Sequence, residues 1–157
     1  MKLGDLMFRR FAAVGVSVAV VLGLGFASAP AASASPAHDN TDPIGTGCAA
    51  GSYIVASRSV VNSTYNEVQG RVDVLYSPTC QTNWLNLYGY VPGNRYHAFI
   101  NNVGYGPVPT VGLAFLGAGS GYSLQTYSPG GSCIDVHWDV RDEATLQLEG
   151  VDWMRLC

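Results

Sequence analysis

The stretch Trp84–Ile100, WLNLYGYVPGNRYHAFI, decides the fold class. Its first seven residues alternate, with Trp84, Asn86, Tyr88 and Tyr90 on one side of an extended chain and Leu85 and Leu87 on the other. That period of two is the pattern of a half-buried strand. Val91-Pro92-Gly93-Asn94 follows with strong turn chemistry, since proline fixes φ and glycine or asparagine tolerates positive φ. Tyr96–Ile100 then resumes a strand, and the expectation is a hairpin of two adjacent antiparallel strands.

The same alternation extends in both directions. Tyr53–Val61 reads as a strand, and Arg71–Tyr76 sets Val72 and Val74 against Arg71, Asp73 and Leu75. Thr110–Leu116, Tyr122–Tyr127, Cys133–Val140, Thr145–Leu148 and Val151–Cys157 continue the series, separated by Gly, Pro, Asn and Asp. Short strands recurring every eight to twelve residues or so are the signature of an antiparallel sandwich or barrel. Asp142–Leu148 is the one window with a trace of helical spacing, and it is too short to form a helix alone. Gly104–Gly121 holds six glycines, so a mobile loop is expected around its strand. The chain shows no internal repeat. These patterns give a single all-β domain over 48–157, preceded by an extended, proline-punctuated lead-in over 35–47 (SPAHDNTDPIGTG).

The first 34 residues read as a cleaved signal peptide. Lys2, Arg9 and Arg10 form a positive n-region, Phe11–Ala27 is a continuous run of apolar and small residues, and Ala32-Ser33-Ala34 satisfies the small-x-small cleavage rule. Ala27-Ser28-Ala29 also satisfies it, but Pro30 follows. Seventeen residues are at the low end for a membrane span. The expectation is therefore a secreted, extracellular protein with no membrane association after cleavage.

Export governs how the four cysteines are read. Cys48, Cys80, Cys133 and Cys157 all follow the leader, and no two are close enough for a C-x-x-C zinc or redox motif. In an oxidising compartment an even set forms disulfides. Of the three connectivities, Cys48–Cys80 with Cys133–Cys157 is favoured because it closes the shortest loops, of 33 and 25 residues. The chain-entropy model gives each about 3.5 kcal/mol, which together rivals the net stability of a whole domain.

Charge excludes several functions. The chain beyond residue 34 has five arginines, no lysine and ten carboxylates, a formal net charge of −5. Nucleic acid and anionic membranes both require basic patches that this balance does not supply. Schiff-base chemistry and a Walker-type phosphate loop require a lysine. No motif calls for a cofactor.

One string carries candidate chemistry. Asp135-Val136-His137-Trp138-Asp139-Val140-Arg141 places Asp135, His137, Asp139 and Arg141 on one strand face. Two carboxylates flanking an imidazole suit a cation or an acid/base pair, and they equally suit a solvated outer face. Asp135 and Asp139 lie about 13 Å apart along a strand, too far to share one ion. Glu143, Glu149 and Asp152 are further carboxylates of the type a glycosidase pairs. His38 and His97 have no implied partner, and neither the G-x-S-x-G nor the H-E-x-x-H pattern occurs.

The aromatic residues point to binding. Tyr88, Tyr90 and Tyr96 surround the central turn beside Asn86, Asn94, Asn101 and Asn102. Flat rings pack on sugar faces and amides bond to hydroxyls, so Tyr88, Tyr90, Asn94 and Tyr96 are the candidate ligand-binding residues. The competing reading places the same rings in a sandwich core.

Asp42-Pro43-Ile44-Gly45-Thr46-Gly47-Cys48 and Tyr76-Ser77-Pro78-Thr79-Cys80-Gln81-Thr82-Asn83-Trp84 give the patterns D-P-x-x-x-G-C and Y-S-x-x-C-x-x-x-W. On these the chain resembles the secreted, largely actinobacterial family called domain of unknown function 2690, over about Asp42–Ile100. The resemblance implies an extracellular β domain, adds support for pairing Cys48 with Cys80, and brings no catalytic residues. Gly104–Cys157 departs from that pattern.

The expected function is a secreted, non-catalytic binding domain for a cell-wall or other extracellular polysaccharide, or for a protein. One alternative is a protease inhibitor presenting Val91–Tyr96, with Arg95 as the specificity residue. The other is a small extracellular hydrolase built from Asp135, His137, Asp139, Glu143 and Glu149.

Overall fold

The computed structural model describes residues 34–104 and 111–157. The leader, apart from Ala34, and residues 105–110 of the glycine-rich stretch lie outside the described residues. Among the described residues, nine strands form two antiparallel sheets: β1 (Tyr53–Asn62), β2 (Glu67–Ser77), β3 (Thr82–Gly89), β4 (Asn94–Asn102), β5 (Val111–Leu116), β6 (Gly119–Tyr122), β7 (Thr126–Tyr127), β8 (Ile134–Asp142) and β9 (Leu148–Leu156). The first sheet runs β1-β2-β3-β6, with β7 also paired to β3, and the second runs β5-β4-β8-β9. Of the expected all-β sandwich or barrel, the sandwich is what forms. Val72, Val74, Leu85 and Leu87 from the first sheet meet Tyr96, Ala98, Ile100, Val136, Trp138 and Val140 from the second. Each fully buried side chain of this size contributes about 1.5–3 kcal/mol.

The central turn is not a hairpin. β3 and β4 belong to different sheets, so Tyr90–Gly93 carries the chain from one layer to the other. Gly70 and Gly89 sit opposite each other in the β2–β3 register, and the gap they leave is filled by the Tyr96 ring. A Cβ on Gly89 would lie 2.5 Å from Tyr96 Cε2, and one on Gly70 would lie 3.2 Å from Tyr96 Cε1. The ring also stacks on Phe115 of β5, with centroids 5.4 Å apart. Its hydroxyl donates to the Gln69 carbonyl at 2.8 Å and accepts from the Val91 N–H at 3.0 Å.

Two further differences concern the ends of the domain. Thr145–Leu148 and Val151–Cys157 are not separate strands: a turn closes on Asp142, whose carboxylate accepts from the N–H and Oγ1 of Thr145, both at 2.7 Å, and one strand, β9, follows. The lead-in is not extended either. It forms a 3₁₀ turn at Pro36–His38 and a run of turns through Gly51. Gln125 Nε2 clamps it by donating to Thr41 Oγ1 and Thr46 Oγ1, at 2.8 and 3.0 Å, and the Tyr127 N–H donates to Asp39 Oδ1 at 3.0 Å.

Both disulfides have the local connectivity, Cys48–Cys80 and Cys133–Cys157. The first fastens the turns before β1 to the start of β3, and the second ties the entry of β8 to the exit of β9.

Tyr96→Phe removes the bonds to Gln69 and Val91 while keeping the ring. It is expected to lower unfolding free energy by about 1–3 kcal/mol in a urea titration of the oxidised protein. Gly89→Ala, which forces a Cβ against that ring, should lose more.

Candidate functional site

The four candidate binding residues divide into two pairs. Alternation along β3 turns Leu87 and Gly89 inward and Tyr88 outward, and Tyr90 follows on the outer side with half its surface exposed. Asn94 and Tyr96 are interior. Asn94 is 5% exposed, with its Nδ2 donating to Gln69 Oε1 at 3.1 Å and to Glu149 Oε2 at 2.9 Å. Tyr96 is 0% exposed. The buried pair therefore holds the crossover in place, and the surface pair is what a ligand meets.

The outer face around Tyr88 is built by neighbouring strands in register. One row crosses Ser59, Arg71, Tyr88 and Ser120, and the next crosses Ser57, Asp73, Asn86 and Tyr122. The Arg71 guanidinium carbon lies 4.4 Å above the centre of the Tyr88 ring. Its Nη2 is 3.0 Å from Asp73 Oδ2, and the other Asp73 oxygen accepts from Ser57 Oγ at 2.6 Å. Asp73 is only 1% exposed although it points away from the core. The adjacent carboxylate, and next to it the Tyr88 and Tyr90 hydroxyls, raise the Arg71 pKa above its usual range. Arg71 and Asp73 were not singled out from the sequence. The signal was present in Arg71-Val72-Asp73-Val74, where two charges alternate with two core valines.

Trp84 also faces outward, yet it is 3% exposed and lies outside the intersheet core. The turns clamped by Cys48–Cys80 sit at this end of the face. Tyr122 OH reaches Asp42 Oδ2 at 3.5 Å, which marks the edge of that cover.

The second sheet's outer face carries the candidate catalytic residues, each held by a different partner. His137 lies between Phe99 and Trp153 in a stacked row, with centroids 4.8 and 6.0 Å away. Asp135 takes two 2.7 Å bonds from Arg155. Asp139 accepts from Arg141 at 2.8 Å and lies 3.2 Å from His97 Nδ1. Glu143 is bound at both oxygens by Arg95, at 2.9 and 3.1 Å, while Glu149 is the partner of Asn94. Arg95 itself lies inside β4, paired with Leu116 and Arg141, rather than on a projecting loop. It does not have the setting that an inhibitory loop requires. The Phe99–His137–Trp153 row is a cross-strand ladder whose outer members stay accessible, Phe99 at 39% and Trp153 at 56% exposed.

Among the described residues, His38, Cys48 and Cys80 are the one set of metal-type donors that converge, within 4.8 Å. The two sulfurs form a disulfide and have no thiolate to offer an ion. No described helix is long and apolar enough to cross a membrane. Comparison of the chain with protein-family models, curated proteins and solved structures gives no match.

Acid stability follows from the ion pairs. Hydrogen bonds from Arg155 hold the Asp135 carboxyl below its usual range, and Arg95 and Thr145 do the same for Glu143 and Asp142. Groups whose folded pKa is depressed stabilise the fold above the unfolded carboxylate pKa of about 4, and lose that contribution as pH falls through the folded value. Urea midpoints should be flat from neutrality to about pH 5 and fall below pH 4. Asp135→Asn should make that acid slope shallower.

Proposed function

We propose that the chain is an exported, non-catalytic binding domain, and that its ligand is an extracellular polysaccharide. The observation that carries this reading is the outer-face cluster Asp73–Arg71–Tyr88, with Tyr90 and Asn86 beside it. Three kinds of group converge there on a flat sheet surface: ring faces, an amide, and a guanidinium fixed against a ring. Ring faces pack on the C–H face of a pyranose, while amide and guanidinium groups bond to its hydroxyls. Side chains within a row repeat at the interstrand spacing of about 4.8 Å, comparable to one sugar residue of an extended polymer. A polymer lying across the strands, along a row, thus meets a side chain from a new strand at each residue.

Export is supported by the leader and by the two disulfides, which persist in an oxidising compartment. The carboxylates of the second sheet are committed to arginine, histidine or amide partners, which favours a binding role over an acid/base one.

The test is retention of the oxidised protein on insoluble chitin, cellulose and peptidoglycan. Tyr90→Ala should abolish retention on whichever polymer binds and leave the unfolding free energy from urea titration within about 0.5 kcal/mol of the parent, as for an ordinary surface substitution. Retention unchanged by Tyr90→Ala would place the site elsewhere, and no retention on any polymer would remove the polysaccharide reading.

A further inference from the structure

The two charged side chains on the strands of the first sheet's outer face are Arg71 and Asp73. β1 contributes Ser57 and Ser59 there, β3 contributes Trp84, Asn86 and Tyr88, and β6 contributes Ser120 and Tyr122. The ion pair is split by depth. The Asp73 side chain is 1% exposed and that of Arg71 is 45% exposed, whereas the Arg95–Glu143 pair is exposed almost equally, at 38% and 36%. Arg141 and Arg155 also face carboxylates that solvent still reaches, at 15% and 17%. Above the first sheet a ligand therefore contacts the guanidinium directly, with its counter-ion out of reach beneath it. The guanidinium is held by Tyr88 on one face and Asp73 at Nη2, so little freedom remains to be lost when its other N–H groups engage a partner.

On the polysaccharide reading above, we infer that this face selects an acidic polymer, with a carboxylate or phosphate oxyanion seated on Arg71. The neighbouring sugar packs on Tyr90, and its hydroxyls bond to Asn86. Planar guanidinium N–H groups match such oxyanions in geometry and charge. The seat is directional. Asp42, near the Tyr122 hydroxyl, makes the opposite end of the face acidic and unfavourable to a second anion.

Affinity electrophoresis of the oxidised protein tests this, with gels containing polygalacturonate, its carboxyl-reduced form, a polyol-phosphate polymer or neutral hydroxyethyl cellulose. Retardation is expected in the carboxylate or the phosphate gel, with the arm that responds identifying the oxyanion, and it should weaken as salt screens the contact. The carboxyl-reduced polymer should retard the protein at least about tenfold less. Arg71→Gln alone strands a buried carboxylate, so the informative variant combines it with Asp73→Asn, which keeps the interior neutral. That variant should lose retardation while retaining the parent's urea midpoint. Arg71→Lys should recover only part of the binding, because an ammonium lacks the planar fork. Acidic-gel retardation untouched by the double variant would overturn the Arg71 seat. Retardation by neutral polymer alone, abolished by Tyr90→Ala, would overturn the acidic preference and leave the polysaccharide reading standing. No retardation in any gel would overturn both.

Discussion

One ring seated over two glycines organises this domain. Tyr96 comes from the second sheet and fills the hole that Gly70 and Gly89 leave in the first, and its hydroxyl ties down the Gln69 carbonyl and the Val91 amide. The missing Cβ atoms and the ring are complementary. A side chain on Gly89 would collide with the ring and one on Gly70 with the Tyr88 carbonyl, and without the ring the facing strands would enclose a void. Close-packed interiors tolerate neither condition well. Because Tyr96 is only five residues from Val91, the same contact fixes the path of the crossing chain between the layers.

The crossover in turn fixes the candidate binding face. Tyr88 and Tyr90 flank Gly89, so the inward step that admits Tyr96 is the step that turns both neighbours outward. Gln69 and Asn94 reinforce the geometry from behind: Asn94 bridges Gln69 of the first sheet to Glu149 at the start of β9. Arg71 and Asp73 occupy the neighbouring strand in register with Tyr88 and Asn86. Interior packing and exposed chemistry thus arise from one alternating pattern read on its two sides.

The fold class was legible because alternation is a local signal, and so were the outward positions of Tyr88 and Tyr90. The connectivity of Cys48, Cys80, Cys133 and Cys157 followed from loop length. What failed was non-local. A turn sequence such as Val91-Pro92-Gly93-Asn94 reverses or redirects the chain equally well within a sheet or between two sheets. The choice was made by Gly70, distant in sequence, which alternation alone does not connect to Tyr96. The same gap hid the roles of Asn94 and Tyr96, whose residue types suit a sugar site or a core. Arg71 and Asp73 are not legible as a site, because a strand with alternating charges reads as an ordinary solvated face and only the fold shows the depth of Asp73. The lead-in was misread as extended because its clamp, Gln125, lies almost eighty residues further along the chain.

The two outer faces also divide the chemistry. On the second sheet, arginines meet carboxylates that solvent still reaches, around a ladder of stacked rings, and the charged groups are paired with one another. On the first sheet, a buried carboxylate presents its arginine to solvent among rings, hydroxyls and an amide. The most direct test of this division is an amide chemical-shift titration of the ¹⁵N-labelled oxidised protein with soluble oligogalacturonate. Perturbations confined to Arg71, Asn86, Tyr88, Tyr90 and their strand neighbours are predicted, with the second sheet's outer face silent. Perturbations centred on Phe99, His137 and Trp153, with none around Arg71, would contradict the account.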